Sequence, residues 1–236
     1  MYSRTLEGKT LTLGVSGKLW KNALVMYDRE TRTLWSHFTG EGLLGPLVGK
    51  KLTMLTSVPK LKWEDWKRLY PETKVLTVRG REDQGRDSYR DYHTSRRTGL
   101  FAPKNTDDRL SDKDWVIGVT IGAQQKAYRL KKKLWKGKEK GKWRLVQDLI
   151  GEVPVLIYHD PDNFATAVYE RRAEDGNVLE FADEVEGRRV SDRSGAKWDL
   201  LTGRGTEGRT LKPIPHMNVY WFAWADFYPE TLLYEP

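Results

Sequence analysis

The 236-residue chain contains no cysteine. Disulfides, thiolate metal sites and cysteine nucleophiles are therefore excluded, while the compartment is left open. Side-chain amides are scarce, with five Asn and four Gln beside 41 Lys and Arg. Few thermolabile residues among many charges predicts a thermophilic source. No apolar run approaches the roughly 18 residues of a membrane-spanning helix. The longest is Val219-Tyr-Trp-Phe-Ala-Trp-Ala225. Residues 1–9 lack the apolar core of a secretory signal, which predicts a cytoplasmic protein if Met1 is the native start.

Catalytic signatures are also missing. None of the four histidines, His37, His93, His159 and His216, stands in H-x-H or H-E-x-x-H. No Walker A or G-x-G-x-x-G element points to a nucleotide cofactor. Ser36-His37 lacks the G-x-S-x-G context of a nucleophile elbow, and Ser16, set between glycines, is followed by Lys-Leu-Trp rather than an apolar helix. A hydrolase reading has no support, and the expectation leans away from an enzyme.

What the sequence does contain is self-similarity. Trp63-Glu-Asp-Trp66-Lys-Arg-Leu-Tyr70-Pro-Glu-Thr73 and Trp221-Phe-Ala-Trp224-Ala-Asp-Phe-Tyr228-Pro-Glu-Thr231 both read W-x-x-W-x-x-x-Y-P-E-T, 158 residues apart (224 minus 66). Upstream, Trp35 with Thr39-Gly40 matches Trp198 with Thr202-Gly203. Asp28-Arg29 matches Asp192-Arg193, and Tyr2-Ser-Arg4 with Glu7-Gly8 matches Tyr169-Glu-Arg171 with Asp175-Gly176. The pattern predicts a first unit over 1–78, a polar connection over 79–114 and a second unit over 115–236, all in one globular domain. Residues 115–168 have no counterpart ahead of Tyr2, so the first unit reads as incomplete at its front.

Runs rich in β-branched and aromatic residues, bounded by Gly, Pro, Asp and Asn, predict strands over 10–15, 23–27, 33–38, 51–56, 74–78, 116–121, 153–158, 165–170, 178–182 and 198–201. Trp63, Trp66 and Tyr70 fall on one face of a 3.6-residue period, so each Trp motif predicts a short helix ended by its proline. The polar face of the first copy becomes Phe222, Ala223 and Ala225 in the second, which predicts deeper burial there. The fold expected is mainly β, a β-rich α+β domain of two pseudo-symmetric units, each with a short Trp-rich helix, sharing one core.

Leu13-Gly-Val-Ser-Gly17, Ala23-Leu-Val-Met-Tyr-Asp-Arg-Glu-Thr31, Phe38-Thr-Gly-Glu41, Asn105-Thr-Asp-Asp-Arg-Leu110 and above all Tyr220-Trp-Phe-Ala-Trp-Ala-Asp-Phe-Tyr-Pro-Glu-Thr231 give a further expectation. Together they resemble the prokaryotic family known as domain of unknown function 3179, over nearly the whole chain. The resemblance implies no established activity. It implies an exported or membrane-associated protein, because members are often so placed. Typical members carry a Cys-Pro-Leu-Cys segment ahead of the Gly-Val-Ser-Gly strand, which this cysteine-free chain does not show. The equivalent place in the second unit is Tyr158-His-Asp-Pro-Asp162.

Two candidate sites follow. Residues 131–144 pack eight basic residues and two Trp into fourteen positions. Lys131, Lys132, Lys133, Trp135, Lys136, Lys138, Trp143 and Arg144 could clamp an anionic polymer, surface or assembly, or form a solvated hairpin turning at 137–141 with its indoles paired across strands. The net charge of +8 agrees with an anionic partner. His159, Asp160 and Asp162, after a buried strand, could bind a divalent or copper ion with help from His37 or His216. The alternative is a turn whose side chains bond to nearby backbone. Met217 reads as core with His216 in a loop, Asp28-Arg29-Glu30 as a charged turn with local ion pairs, and Trp63, Trp66, Trp221 and Trp224 as core rather than carbohydrate platforms.

Overall fold

The computed structural model describes residues 1–58, 60–76, 89–130, 144–160 and 164–235, the side chains of Arg144 and Glu184 excepted. Alternating apolar residues and tight turns build the first part. Strands β1 (Thr5–Leu6) and β2 (Lys9–Thr10) form a hairpin about Glu7-Gly8, where both residues have positive φ, as a type I′ turn requires. A four-stranded antiparallel sheet follows: β3 (Leu13–Trp20), β4 (Ala23–Asp28), β5 (Leu34–Ser36) and β6 (Gly42–Leu44), in that order. Helix α1 (Trp63–Leu69) then starts at the first Trp motif, and α2 (Arg90–Thr94) lies in the connection.

The second part is three sheets deep. Its strands are β7 (Trp115–Ile121), β8 (Gln124–Arg129), β9 (Arg144–Ile150), β10 (Val153–Asp160), β11 (Ala165–Glu170), β12 (Phe181–Glu186), β13 (Arg189–Asp192), β14 (Lys197–Asp199), β15 (Lys212–Pro213) and β16 (His216–Tyr220). Helix α3 (Trp221–Phe227) and strand β17 (Leu232–Leu233) complete it. The sheet orders are β16-β7-β8-β17, β15-β11-β10-β9 and β12-β13-β14. Strand β17 pairs parallel to β8, and the other pairs in these sheets are antiparallel. Among the described residues no helix is long and apolar enough to cross a membrane.

The period of two along a strand sorts the core into layers. On β10, Val155 and Ile157 meet Ile117, Val119 and Tyr128 of the β7–β8 pair. Leu156 and Tyr158 face the other way, onto Phe181, Val190 and Trp198. On the far side of β7, Val116 meets Trp221, Trp224 and Phe227 of α3, together with Phe38 from the turn between β5 and β6. Gly118 lets the helix come this close, since a Cβ there would lie 2.2 Å from the Trp224 ring. Phe38 stacks on Phe227 at 4.1 Å between centroids, and Trp20 meets the same ring edge-on at 5.1 Å. Helix α3 is thus held between the first sheet and the second part, which makes the fold continuous across the chain.

The two Trp helices carry the same local bonds. Trp66 Nε1–H donates to Thr73 Oγ1 at 2.9 Å, and Trp224 Nε1–H to Thr231 Oγ1 at 2.8 Å. Trp66 and Tyr70 rings lie 4.6 Å apart, and those of Trp224 and Tyr228 4.5 Å. Further upstream, Trp35 Nε1–H donates to Asp28 Oδ2 at 2.8 Å and Trp198 Nε1–H to Asp192 Oδ2 at 2.9 Å. The hydroxyls of Tyr2 and Tyr169 donate to the carbonyls of Phe38 and Leu201, each at 2.8 Å.

Several expectations are corrected. Trp63 is not core: it is 51% exposed, and no residue of α1 is buried. Residues 51–56 form only isolated bridges at Lys51 and Met54, and 74–76 form no strand. The strand expected from 178 begins at Phe181, with a lone bridge at Val178. Asp28 is buried and takes bonds from Thr31 and the Trp35 indole rather than from a cation, while Glu30 accepts the Thr12 N–H at 2.8 Å.

Candidate functional site

Of the basic run, residues 131–143 lie outside the described residues, so the positions of Lys131, Lys132, Lys133, Trp135, Lys136, Lys138 and Trp143 carry no structural statement. Both flanks are placed. Leu130 N–H donates to the Trp115 carbonyl at 2.9 Å, and Arg144 opens β9 opposite His159 of β10. The run therefore springs from the end of the molecule where Trp115 and β10 lie.

Cations and rings alternate on that face. The Trp115 and Tyr220 rings are 4.3 Å apart. Lys60 Nζ sits 4.4 Å from the Trp115 centroid and 5.6 Å from that of Phe164. Lys113 Nζ sits 3.7 Å from the Tyr92 centroid and 5.6 Å from Tyr220, and donates to the Tyr92 carbonyl. An ammonium over a ring face is attracted by the ring quadrupole, so the aromatics fix where these charges stand. Desolvation lowers the Lys113 pKa, and the nearby Arg97 guanidinium lowers it further. Among the described residues Lys60, Arg97 and Lys113 make no ion pair with a carboxylate. Arg129 and Lys126, by contrast, are matched to Asp114 at 2.5 Å and Asp148 at 2.6 Å.

Lys60 and Arg97 also border a cleft of about 990 Å³ between the first sheet and the β16–α3 corner. Phe38 and Met26 line one wall, Met217 and Phe222 the other, and Tyr92 and Leu100 overhang it. These residues come from segments far apart in the chain.

His216 lies at the floor, where two smaller cavities of about 140 and 220 Å³ also meet it. It opens strand β16 rather than sitting in a loop, which corrects the sequence expectation. Its backbone N–H donates to Ser57 Oγ at 2.7 Å, its Nδ1 lies 2.8 Å from the same oxygen, and its Nε2 lies 3.2 Å from Thr166 Oγ1. Burial pushes its pKa down to about 4, against a weaker opposing bond to the Ile214 carbonyl. Ser57 and His216 touch. The serine oxygen already accepts a backbone N–H, no carboxylate among the described residues is bonded to the ring, and so weak a base accepts protons poorly near neutral pH.

A family model described as a protein of unknown function, DUF3179, matches residues 1–231. The chain belongs to that family. No curated protein and no solved structure matches it. In this DUF3179 member the loop expected at His159 and Asp160 is the end of β10, and both residues are buried there. Asp162 lies outside the described residues, and among those described no group of three His, Asp or Glu could hold a metal ion. His37 is exposed at the edge of the cleft, its Nδ1 3.3 Å from the Leu24 carbonyl. Sequence reasoning missed Lys60, Arg97 and Lys113. None of them stands in a motif, and only the fold brings them together.

Proposed function

We propose that this protein is a non-catalytic binding protein that docks an anionic polymer on the face where Lys60, Arg97 and Lys113 stand among Trp115, Tyr92 and Tyr220. The observation that carries the reading is a set of cations that pair with no carboxylate among the described residues, Lys60 and Lys113 positioned on aromatic rings and Arg97 near Lys113, beside the roots of the basic run. Charges left unneutralised by the protein are available to an outside anion, and adjacent rings add stacking surface. Residues 131–144 would extend the same positive field.

Heparin chromatography tests this. The wild type should be retained at about 0.1 M salt, where exposed charges still act over roughly 10 Å. It should elute earlier when Lys131, Lys132 and Lys133 become Ala, and earlier again when Lys60 and Lys113 are added. Passage of the wild type without retention, or an unchanged elution position for the five-fold variant, removes the proposal.

We also infer that the two units descend from a duplication. The Trp66–Thr73 and Trp224–Thr231 bonds, with the Asp28–Trp35 and Asp192–Trp198 pairs, support it. An experimental structure in which either indole of the Trp66 and Trp224 pair lacked its threonine partner would remove that support.

A further inference from the structure

We propose that the cleft between the first sheet and the β16–α3 corner holds the chain of a single-tailed amphipathic acid, with its carboxylate at the mouth between Lys60 and Arg97. The volume of about 990 Å³ is that of a site for a small organic ligand rather than a packing defect. Its walls are apolar, and four of its residues, Met1, Met26, Met54 and Met217, are thioethers that adapt to a flexible tail. Leu100, 71% exposed, and Val58, 65% exposed, keep apolar surface in water around the opening. Surface of that kind, concave and contiguous, marks a place where something apolar is bound.

Charge selects the head group. Among the described residues the lining contains Lys21, Lys60 and Arg97 and no Asp or Glu. Lys21 is committed, since its ammonium donates to the Asp226 carbonyl and lies 3.6 Å from the Asp226 carboxylate. Lys60 and Arg97 have no such partner among the described residues. His216, also in the lining, is buried and bonded to Ser57 and Thr166, and so adds no free cation. An apolar lining with two cations and, among the described residues, no carboxylate is the complement of an alkyl carboxylate.

The inference shares its cationic rim with the polymer reading but adds a separate ligand and a separate site, the cleft interior. Titration calorimetry on the full chain with octanoate, decanoate and dodecanoate, each below its micelle concentration, tests it. Each added methylene should tighten binding about 3- to 4-fold until the cleft is full. Dodecanol should bind about 10-fold more weakly than dodecanoate, and the Lys60→Ala/Arg97→Ala variant should bring the acid down to the alcohol, given the loss of two charge-assisted contacts. Leu100→Glu, at an exposed position, should weaken dodecanoate without lowering the melting temperature. Absence of binding heat for dodecanoate, or an affinity independent of chain length, overturns the proposal. Equal binding of acid and alcohol overturns the head-group assignment. Heparin retention without dodecanoate binding removes the cleft inference alone, and the converse removes the polymer reading alone.

Discussion

Helices α1 and α3 have the same length, the same cap geometry and the same indole-to-threonine bond, yet they live in different surroundings. Their N-cap residues, Lys62 and Tyr220, are both extended, and their C-cap N–H groups return to the carbonyls of Trp66 and Trp224. No residue of α1 is buried, whereas six of the seven in α3 are. In α3, Trp221 Nε1–H donates to the Asp107 carbonyl at 2.9 Å and the Arg109 guanidinium lies 5.3 Å above its ring. Trp63 stays half in water. The motif therefore encodes a local conformation, and burial is decided by what the rest of the chain lays over it. Short helices draw most of their stability from such packing rather than from propensity.

Truncation should break the likeness most sharply. Trp224→Ala empties a buried site and should cost about 3–5 kcal/mol, while Trp66→Ala, at a half-buried site, should cost about 1–2 kcal/mol, as read by urea unfolding. Equal losses would mean that α1 is covered as α3 is. A second effect comes from the link between the segments that enter the two helices, Ser57 before α1 and His216 before α3. His216 is held neutral with a folded pKa of about 4 against an ordinary 6.5. Between those values the unfolded chain takes up a proton that the folded chain does not, so stability falls as the pH drops from 6.5 towards 4. The loss at pH 5 relative to pH 7.5 should be about 2 kcal/mol. His216→Leu should flatten that slope, and an unaltered pH profile would place the sensitivity elsewhere. The smallest contrast concerns the threonines. Thr231→Val, at a buried site, should cost about 1–2 kcal/mol and Thr73→Val about 0.5 kcal/mol or less, because water can replace the second bond but not the first. Matching thermal shifts in the two variants would contradict this.

Much of this contrast is legible in the sequence, though not all of it. The spacing of Trp63, Trp66 and Tyr70 places the helix correctly, and Phe222, Ala223 and Ala225 mark the second copy as the buried one. Nothing local reveals that Trp63 is left uncovered, since burial depends on residues far away in the chain. The strand expected over 153–158 runs two residues further, to Asp160, because polar side chains continue a strand whose backbone is still paired to Ala165 and Arg144. His216 reads as a loop because prolines at 213 and 215 precede it, yet it pairs with Val119 in the sheet. Residues 51–56 have strand composition and miss a continuous ladder, which composition does not report. The cleft and its cationic mouth were out of reach altogether, being assembled from residues as distant as Phe38 and Phe222.

Strand β10 has a final consequence. Both of its sides are apolar, so water gives no instruction about which side chains belong on which side. Sliding the strand by one position would trade one apolar set for another, so shape and a polar anchor must forbid it. Tyr158 would be pressed into the space cut for Ile157, and the guanidinium of Arg171, which donates from Nε to the Val155 carbonyl at 3.1 Å, would lose its anchor. Alignment in the middle of this molecule is thus enforced by ring size and one buried arginine, as a key is held by its wards rather than by its handle.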